Sequence, residues 1–167
     1  MVRFTVHYKF VQKFPFPARD VYDWSTDYRE DDIPLTGNKG KREIEKLDEA
    51  TLILTDTVDY GSGPVTKVRL IRMFPEQLLW TNTRLSEAGK HSQFVYQIIP
   101  EGKKASRLEF YGAQVEEASR RPSAAKVARM VKELAETDAL VWVNLARAME
   151  ADFGPSRSRG TSRNRAR

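Results

Sequence analysis

The feature that most constrains the fold is a long amphipathic segment near the end of the chain. From Pro122 to Phe153, apolar residues recur every three or four positions with charged residues between them. This period predicts one helix of about eight turns with a single apolar stripe. Because such a helix gains little stability on its own, the stripe must be buried against another large apolar surface. The stripe residues are Val127, Val131, Leu134, Val141, Leu145 and Met149.

A region rich in predicted strands supplies that surface. Residues 3–14 alternate apolar and polar side chains, which predicts a half-buried strand. Two short helices are expected between residues 17 and 40. From Lys41 to Glu116, turn residues recur about every 10 to 14 positions and separate six further strand candidates. The sequence therefore predicts an α+β fold, with a seven-stranded antiparallel sheet curved around the C-terminal helix. The gap between sheet and helix is the candidate site.

The hairpin across residues 61–64 allows its register to be predicted. Placing Leu54 opposite Leu70 gathers the most apolar side chains on one face of the two strands. In this register Asp56 and Arg72 also point to the apolar face. Arg72, near the end of its strand, would extend to water. Asp56 is either a cavity acid or is turned outward by a bulge.

The composition excludes several classes of site. The chain has no Cys and only two histidines, so neither a metal nor another cofactor is predicted. The lack of Cys also favours a reducing compartment, the cytoplasm. No apolar run reaches the roughly 18 residues of a membrane span.

The net charge of +5 comes from the end of the chain. Five of the 28 basic residues, and none of the 23 acidic ones, lie beyond residue 154. Residues 155–167 are predicted to be a disordered, Arg-rich tail. The formally neutral residues 1–154 are predicted to form one domain. Weak nucleic-acid contact through the tail is conceivable but not favoured.

The most informative single residue is Asp138, because it falls inside the apolar stripe of the long helix. A buried carboxylate is costly unless it has a partner. One interpretation is a cavity acid with a raised pKa, suited to acid–base chemistry or to holding a ligand hydroxyl. The other is a structural Asp paired with a Tyr, an Arg or a water molecule.

Aromatic residues are frequent on the predicted inner faces. They would line a pocket for a planar or polycyclic ligand, or simply pack as core. Gly112, on the same face, would leave room for a ligand or for the helix, or mark a bend. The predicted ligand-binding set is Asp138, Trp142, Val141, Leu134, Leu145, Asp56, Arg72, Tyr60, Trp80, Tyr96, Phe110 and Gly112.

The order of elements and one local motif resemble a known family. Residues 14–28 read Phe-Pro-Phe-Pro-Ala-Arg-Asp-Val-Tyr-Asp-Trp-Ser-Thr-Asp-Tyr. This stretch is similar to the opening of START-like, birch-pollen-allergen-like (SRPBCC) proteins of the polyketide cyclase/dehydrase type. The resemblance covers about residues 3–153 and implies the helix-grip fold. It also implies a hydrophobic ligand such as a lipid, sterol or polyketide, and some members of this superfamily are aromatases or cyclases.

Three functions follow as hypotheses. The first is binding of a hydrophobic small molecule, for transport or sequestration. The second is an enzyme of the polyketide cyclase, dehydratase or aromatase type, with Asp138 or Asp56 as the acid–base group. The third is a protein-interaction or chaperone-partner module.

Overall fold

The predicted sheet and long helix are both present. The computed structural model describes residues 1–59, 61, 63–86 and 89–154. The strands are β1 Val2–Phe14, β2 Lys39–Lys46, β3 Thr51–Asp59, β4 Pro64–Phe74, β5 Leu79–Arg84, β6 Gln93–Pro100 and β7 Ser106–Ala118. The α-helices are α1 Ala18–Thr26 and α2 Ala124–Phe153, and the 3-10 helices are Ile33–Thr36 and Pro75–Gln77. The second short helix expected after β1 is thus a single 3-10 turn. Tyr60 and residues 155–167 lie outside the described residues.

The sheet is an antiparallel meander with one long-range pairing. Its strand order is β1-β7-β6-β5-β4-β3-β2, so the first strand pairs with the last. Short connections join the strands that are consecutive in the chain and adjacent in the sheet. The regular spacing of turn residues in the sequence therefore predicts the topology. This arrangement, with α2 packed on the sheet, is the predicted α+β helix-grip architecture.

The buried stripe of α2 joins the core mainly through the second half of the helix. Trp142, Ala146 and Met149 are buried there, in one cluster with side chains from six of the seven strands and from α1. Ser123 caps the first turn, because its Oγ accepts a hydrogen bond from the backbone N–H of Lys126 (3.3 Å). The first half of the helix is less buried, and Val131, Leu134 and Ala135 pack there on a second, smaller apolar cluster.

Helix α1 is fixed to the end of α2. Val21 and Tyr22 are buried in the main core. On another side of α1, the indole N–H of Trp24 donates a hydrogen bond to Asp152 Oδ2 (3.0 Å). Because Trp24 and Asp152 both line a cavity, this bond helps to form its wall.

The predicted register of the β3–β4 hairpin is wrong by one residue. Leu54 pairs with Arg69, and Arg72 pairs with Thr51. The shift moves Arg69 to the inner face and leaves Arg72 exposed on the outer one. The prediction assumed that the inner face is apolar. In the structure Asp56 stands on that face among basic side chains, whose charges it compensates. Arg72 therefore leaves the candidate ligand-binding set.

None of the helices among the described residues is long and apolar enough to span a membrane.

Candidate functional site

Two adjoining cavities lie between the sheet and α2. Their volumes are about 400 Å³ and 170 Å³. The larger volume falls within the range of ligand pockets, roughly 300–1,000 Å³. The side chains that border both cavities form a partition between them. These are Thr36, Arg42, Arg69, Asn82, Tyr96, Val141 and Trp142.

One wall of the larger cavity is aromatic. Trp80 and Tyr96 are direct partners across β5 and β6, so their rings project from the same face of the sheet. The rings stack nearly parallel, 3° apart in plane and 5.0 Å between centroids. Trp142 of α2 lies 6.0 Å from Trp80 and 5.8 Å from Tyr96. Leu145 completes this predicted part of the lining. Close packing keeps the three rings in place and presents a rigid apolar surface.

The opposite side of the larger cavity is polar and comes from the segment between α1 and β2. Asp32 Oδ2 accepts hydrogen bonds from the backbone N–H of Arg29 (2.8 Å) and from Arg42 Nη1 (3.1 Å). The Arg42 guanidinium lies over the ring of Tyr28, 5.6 Å from its centroid. Burial raises the pKa of Tyr28 to about 12, so its hydroxyl stays protonated at neutral pH.

Asp56 is buried in a regular part of β3 and points inward, so no bulge turns it out. It accepts hydrogen bonds from Arg42 Nε (2.7 Å) and Nη2 (3.0 Å), and Arg69 binds the same carboxylate. Burial lowers the pKa of both arginines, which reflects the cost of their charge in the interior. A carboxylate held by two guanidinium groups is poorly suited to accept a proton from a substrate. Asp56 therefore borders the smaller cavity as a charge partner for arginine.

Asp138 borders the smaller cavity and has a tyrosine partner. Tyr8 Oη donates a hydrogen bond to Asp138 Oδ2 at 2.6 Å. Burial raises the pKa of the Asp138 carboxyl, although this hydrogen bond and the nearby positive charges act in the opposite direction. Burial and the adjacent carboxyl also raise the pKa of Tyr8. The site thus combines both interpretations of Asp138: it borders a cavity and it has a Tyr partner.

Phe110 and Leu134 belong to a second apolar cluster around Tyr8. Phe110 and Phe94 are buried against Tyr8, and Leu134 of α2 packs on this cluster. Phe110 borders the smaller cavity, whereas Leu134 borders neither of the two cavities. Leu134 is therefore a packing residue.

The space at Gly112 is occupied by Tyr8. Gly112 pairs with Tyr8 in the sheet, and a Cβ at this position would lie 2.6 Å from a carbon of the Tyr8 ring. The room expected for a ligand or for the helix is thus filled by a neighbouring side chain.

We expect Gly112→Ala to lower the free energy of unfolding by about 1–3 kcal/mol, because the added methyl displaces the Tyr8 ring. Urea denaturation measures this cost, and Tyr8→Leu provides the control background. With the ring gone, Gly112→Ala is expected to cost markedly less. An equal cost in both backgrounds would show that the clash with Tyr8 is not the cause.

Sequence analysis missed Arg42, Arg69 and Asn82, all of which border both cavities. Asn82 was the easiest of the three to predict from the sequence. It lies two positions after Trp80, so in a strand its side chain must be on the same face as that of Trp80. Arg42 lies in a strongly charged strand without a clear apolar face. Within the described residues, no three His, Asp or Glu side chains form a group that could hold a metal ion.

Comparison with known proteins identifies the fold. No protein-family model matches the sequence, and neither does any curated protein. The Zhui aromatase/cyclase from a Streptomyces species matches with a TM-score of 0.75 and 13% identity, over 92% of this chain and 98% of that one. Norcoclaurine synthase from Thalictrum flavum, in complex with dopamine and hydroxybenzaldehyde, matches with a TM-score of 0.64 and 14% identity, over 90% and 88%.

A START superfamily protein from Mycobacterium smegmatis matches with a TM-score of 0.64 and 14% identity, over 87% of this chain and 98% of that one. All three matches extend over most of both chains, and so agree with the resemblance seen in residues 14–28 and in the order of elements. The chain has the helix-grip fold of START-like proteins.

Proposed function

We propose that this protein binds a hydrophobic small molecule with a flat ring system in the larger cavity. The observation that carries the proposal is the aromatic wall of Trp80, Tyr96 and Trp142 beside a cavity of about 400 Å³. Rigid aromatic side chains bind flat apolar ligands at little cost in conformational entropy. The norcoclaurine synthase of the same fold was solved with two aromatic compounds, which is consistent with this ligand class.

We expect the neutral probe N-phenyl-1-naphthylamine to bind saturably and to quench most of the tryptophan emission. All three tryptophans of the chain line the larger cavity, so each would transfer energy to a probe bound there. Titration followed by fluorescence gives both the affinity and the extent of quenching. Absence of saturable binding by this probe and by other flat apolar molecules would overturn the proposal.

A pair of neighbouring substitutions tests where the probe lies. Val141 borders both cavities, whereas Leu140 is 60% exposed on the other side of α2. Val141→Phe fills the cavity and is expected to weaken binding about tenfold or more, by roughly 1.4 kcal/mol. Leu140→Phe adds the same ring on the surface and should leave the affinity unchanged. Equal affinities in the two variants would place the probe elsewhere.

An enzyme of the cyclase or dehydratase type is the second candidate function. The hydrogen-bonded pair of Tyr8 and Asp138 favours it, because a buried carboxyl with a raised pKa beside a cavity suits general acid catalysis. Asp56 is not part of this candidate, since two arginines hold its carboxylate. The protein-interaction alternative, the cytoplasmic location and the nucleic-acid contact of the tail stay predictions.

A further inference from the structure

The smaller cavity and its partition carry more positive than negative side chains. The cations are Arg42, Lys67, Arg69 and Arg84, and the acids are Asp56 and Asp138. Asp32, which borders only the larger cavity, also pairs with Arg42. Asp32 and Asp56 are the ion-pair partners of Arg42 and Arg69. Burying like charges together is unfavourable unless an anion accompanies them.

Two of these cations are direct neighbours on adjacent strands. Arg69 of β4 and Arg84 of β5 are directly opposite in the ladder, so their side chains project from the same face. Like charges at this position destabilise a strand pair. Arg69 shares the Asp56 carboxylate with Arg42. No ion pair of Arg84 occurs among the residues that the structure describes; its guanidinium lies 5.8 Å from the centroid of the Phe94 ring.

Several buried polar atoms at this place lack partners. The Nε–H groups of Arg69 and Arg84 have no acceptor, and Asn82 Oδ1 has no donor, within the described part of the chain. Asn82 is 3% exposed and borders both cavities. Because a buried donor or acceptor without a partner is costly, three in one wall are positions that a polar ligand or a water molecule would complete.

Within the described residues, neither acid of the smaller cavity forms an ion pair with Arg84. Asp56 is engaged by Arg42 and Arg69, while Asp138 accepts its hydrogen bond from Tyr8. Burial raises the pKa of the Asp138 carboxyl, because a negative charge is costly in the interior.

We propose that the smaller cavity is an anion subsite and that the ligand is an aromatic carboxylic acid. Its ring system lies against the aromatic wall of the larger cavity, and its carboxylate crosses the partition to Arg69 and Arg84. A carboxylate accepts two hydrogen bonds in parallel, which matches the guanidinium geometry. A hydroxyl on the same ligand would satisfy Asn82 Oδ1. This inference rests on the proposed function, because the larger cavity must hold the rings.

The test compares two ligands of one shape that differ in charge. Isothermal titration calorimetry measures the binding of 2-naphthoate and of 2-naphthamide at pH 7.5 and low salt. We expect the wild type to bind the carboxylate about tenfold more tightly or better, as for a charged hydrogen-bonding pair. This ratio needs no variant. Equal affinities, or tighter binding of the amide, would overturn the anion subsite.

Two substitutions locate the subsite. Arg84→Met keeps the apolar stem and removes the charge, so the ratio should fall to about threefold or less while the amide binds as before. The control is Arg107→Met, because Arg107 pairs with Glu101 and Glu109 on the surface. It should leave the ratio unchanged. A ratio that survives Arg84→Met would overturn the assignment to this wall.

The two proposals fail in different ways. If N-phenyl-1-naphthylamine binds but 2-naphthoate does not, the cavity holds rings without an anion subsite, and the inference is overturned alone. If neither the probe nor either naphthalene ligand binds, the proposed function itself is overturned.

Discussion

Replacing Asp56 with Asn is expected to lower the free energy of unfolding by about 3–5 kcal/mol. Asp56 is the shared partner of Arg42 and of the half-buried Arg69, and the side chains of Asp56 and Arg42 are only 4% and 7% exposed. The substitution keeps the shape of the side chain but leaves guanidinium charge in the interior without its counter-charge. Removing one partner of a buried ion pair is costly for this reason, even where the intact pair adds little net stability.

Urea denaturation of Asp56→Asn measures the loss, with Glu43→Gln as the matched control. Glu43 lies in β2 and forms an ion pair with Lys41 of the same strand, but the side chain of Glu43 is 66% exposed. Its neutralisation should change the free energy of unfolding by no more than about 0.5 kcal/mol. Equal effects of the two variants would show that the Asp56 cluster is solvated.

A triple replacement tests whether uncompensated arginine charge causes the loss of stability in Asp56→Asn. Asp56→Leu combined with Arg42→Met and Arg69→Met removes the whole cluster and substitutes apolar side chains of similar length. Part of the stability lost in Asp56→Asn should return, because both arginine charges are removed together with Asp56, while Asp32 keeps its hydrogen bond from the backbone N–H of Arg29. If Arg69 also receives the carboxylate of a ligand, the preference of this variant for 2-naphthoate over 2-naphthamide should be smaller than that of the wild type, although Arg84 is retained.

The fold was predictable because its elements have clear periods. The apolar stripe of α2 predicts one helix, and the short connections between strands predict a meander. The β3–β4 register was not predictable from the sequence, because β4 carries apolar and basic residues on both faces. Ile71 and Arg69 point inward, while Leu70 and Arg72 point outward. Counting apolar residues cannot decide between these faces when the interior itself holds charges.

The candidate site was predictable only in part, for the same reason. Asp138 stands out because it is an acid within an apolar stripe, and the aromatic residues stand out by size. The cations do not stand out, because a basic residue in a strand usually points to solvent. Only the pairing of Arg69 with Arg84 and the position of Asp56 show that these charges belong to a cavity.

Asp138 is expected to respond oppositely to two substitutions near neutral pH. Asp138→Leu removes the partner of the buried Tyr8 hydroxyl, so it should cost about 1–3 kcal/mol of unfolding free energy. Adding Tyr8→Phe removes the stranded hydroxyl and should recover part of this loss. Asp138→Asn retains an oxygen that accepts the hydrogen bond and cannot ionise, so it should be as stable as the wild type or more so.

The pH dependence of Asp138→Asn tests the raised pKa directly. Because the pKa of Asp138 is higher in the folded state than in the unfolded chain, the folded wild type binds more protons between these two values. The wild type therefore loses stability as pH rises from about 4, the pKa of an unfolded Asp, through the folded value. The unfolding free energy of Asp138→Asn relative to the wild type should rise over this range and then level off. Asp32, whose pKa burial also raises, is present in both proteins and cancels.

The control for this profile is Glu136→Gln, two residues away on α2 with a side chain 66% exposed. Its stability should follow the wild type across the pH range. A relative stability of Asp138→Asn that falls with rising pH would mean that the folded protein favours the carboxylate, and it would remove Asp138 as a general acid. A relative stability that rises would show that folding favours the protonated form of Asp138, and a cyclase or dehydratase needs such a proton donor for a carbonyl or hydroxyl oxygen. Turnover of an aromatic polyketone by the wild type and not by Asp138→Asn would then decide for the enzyme over the carrier.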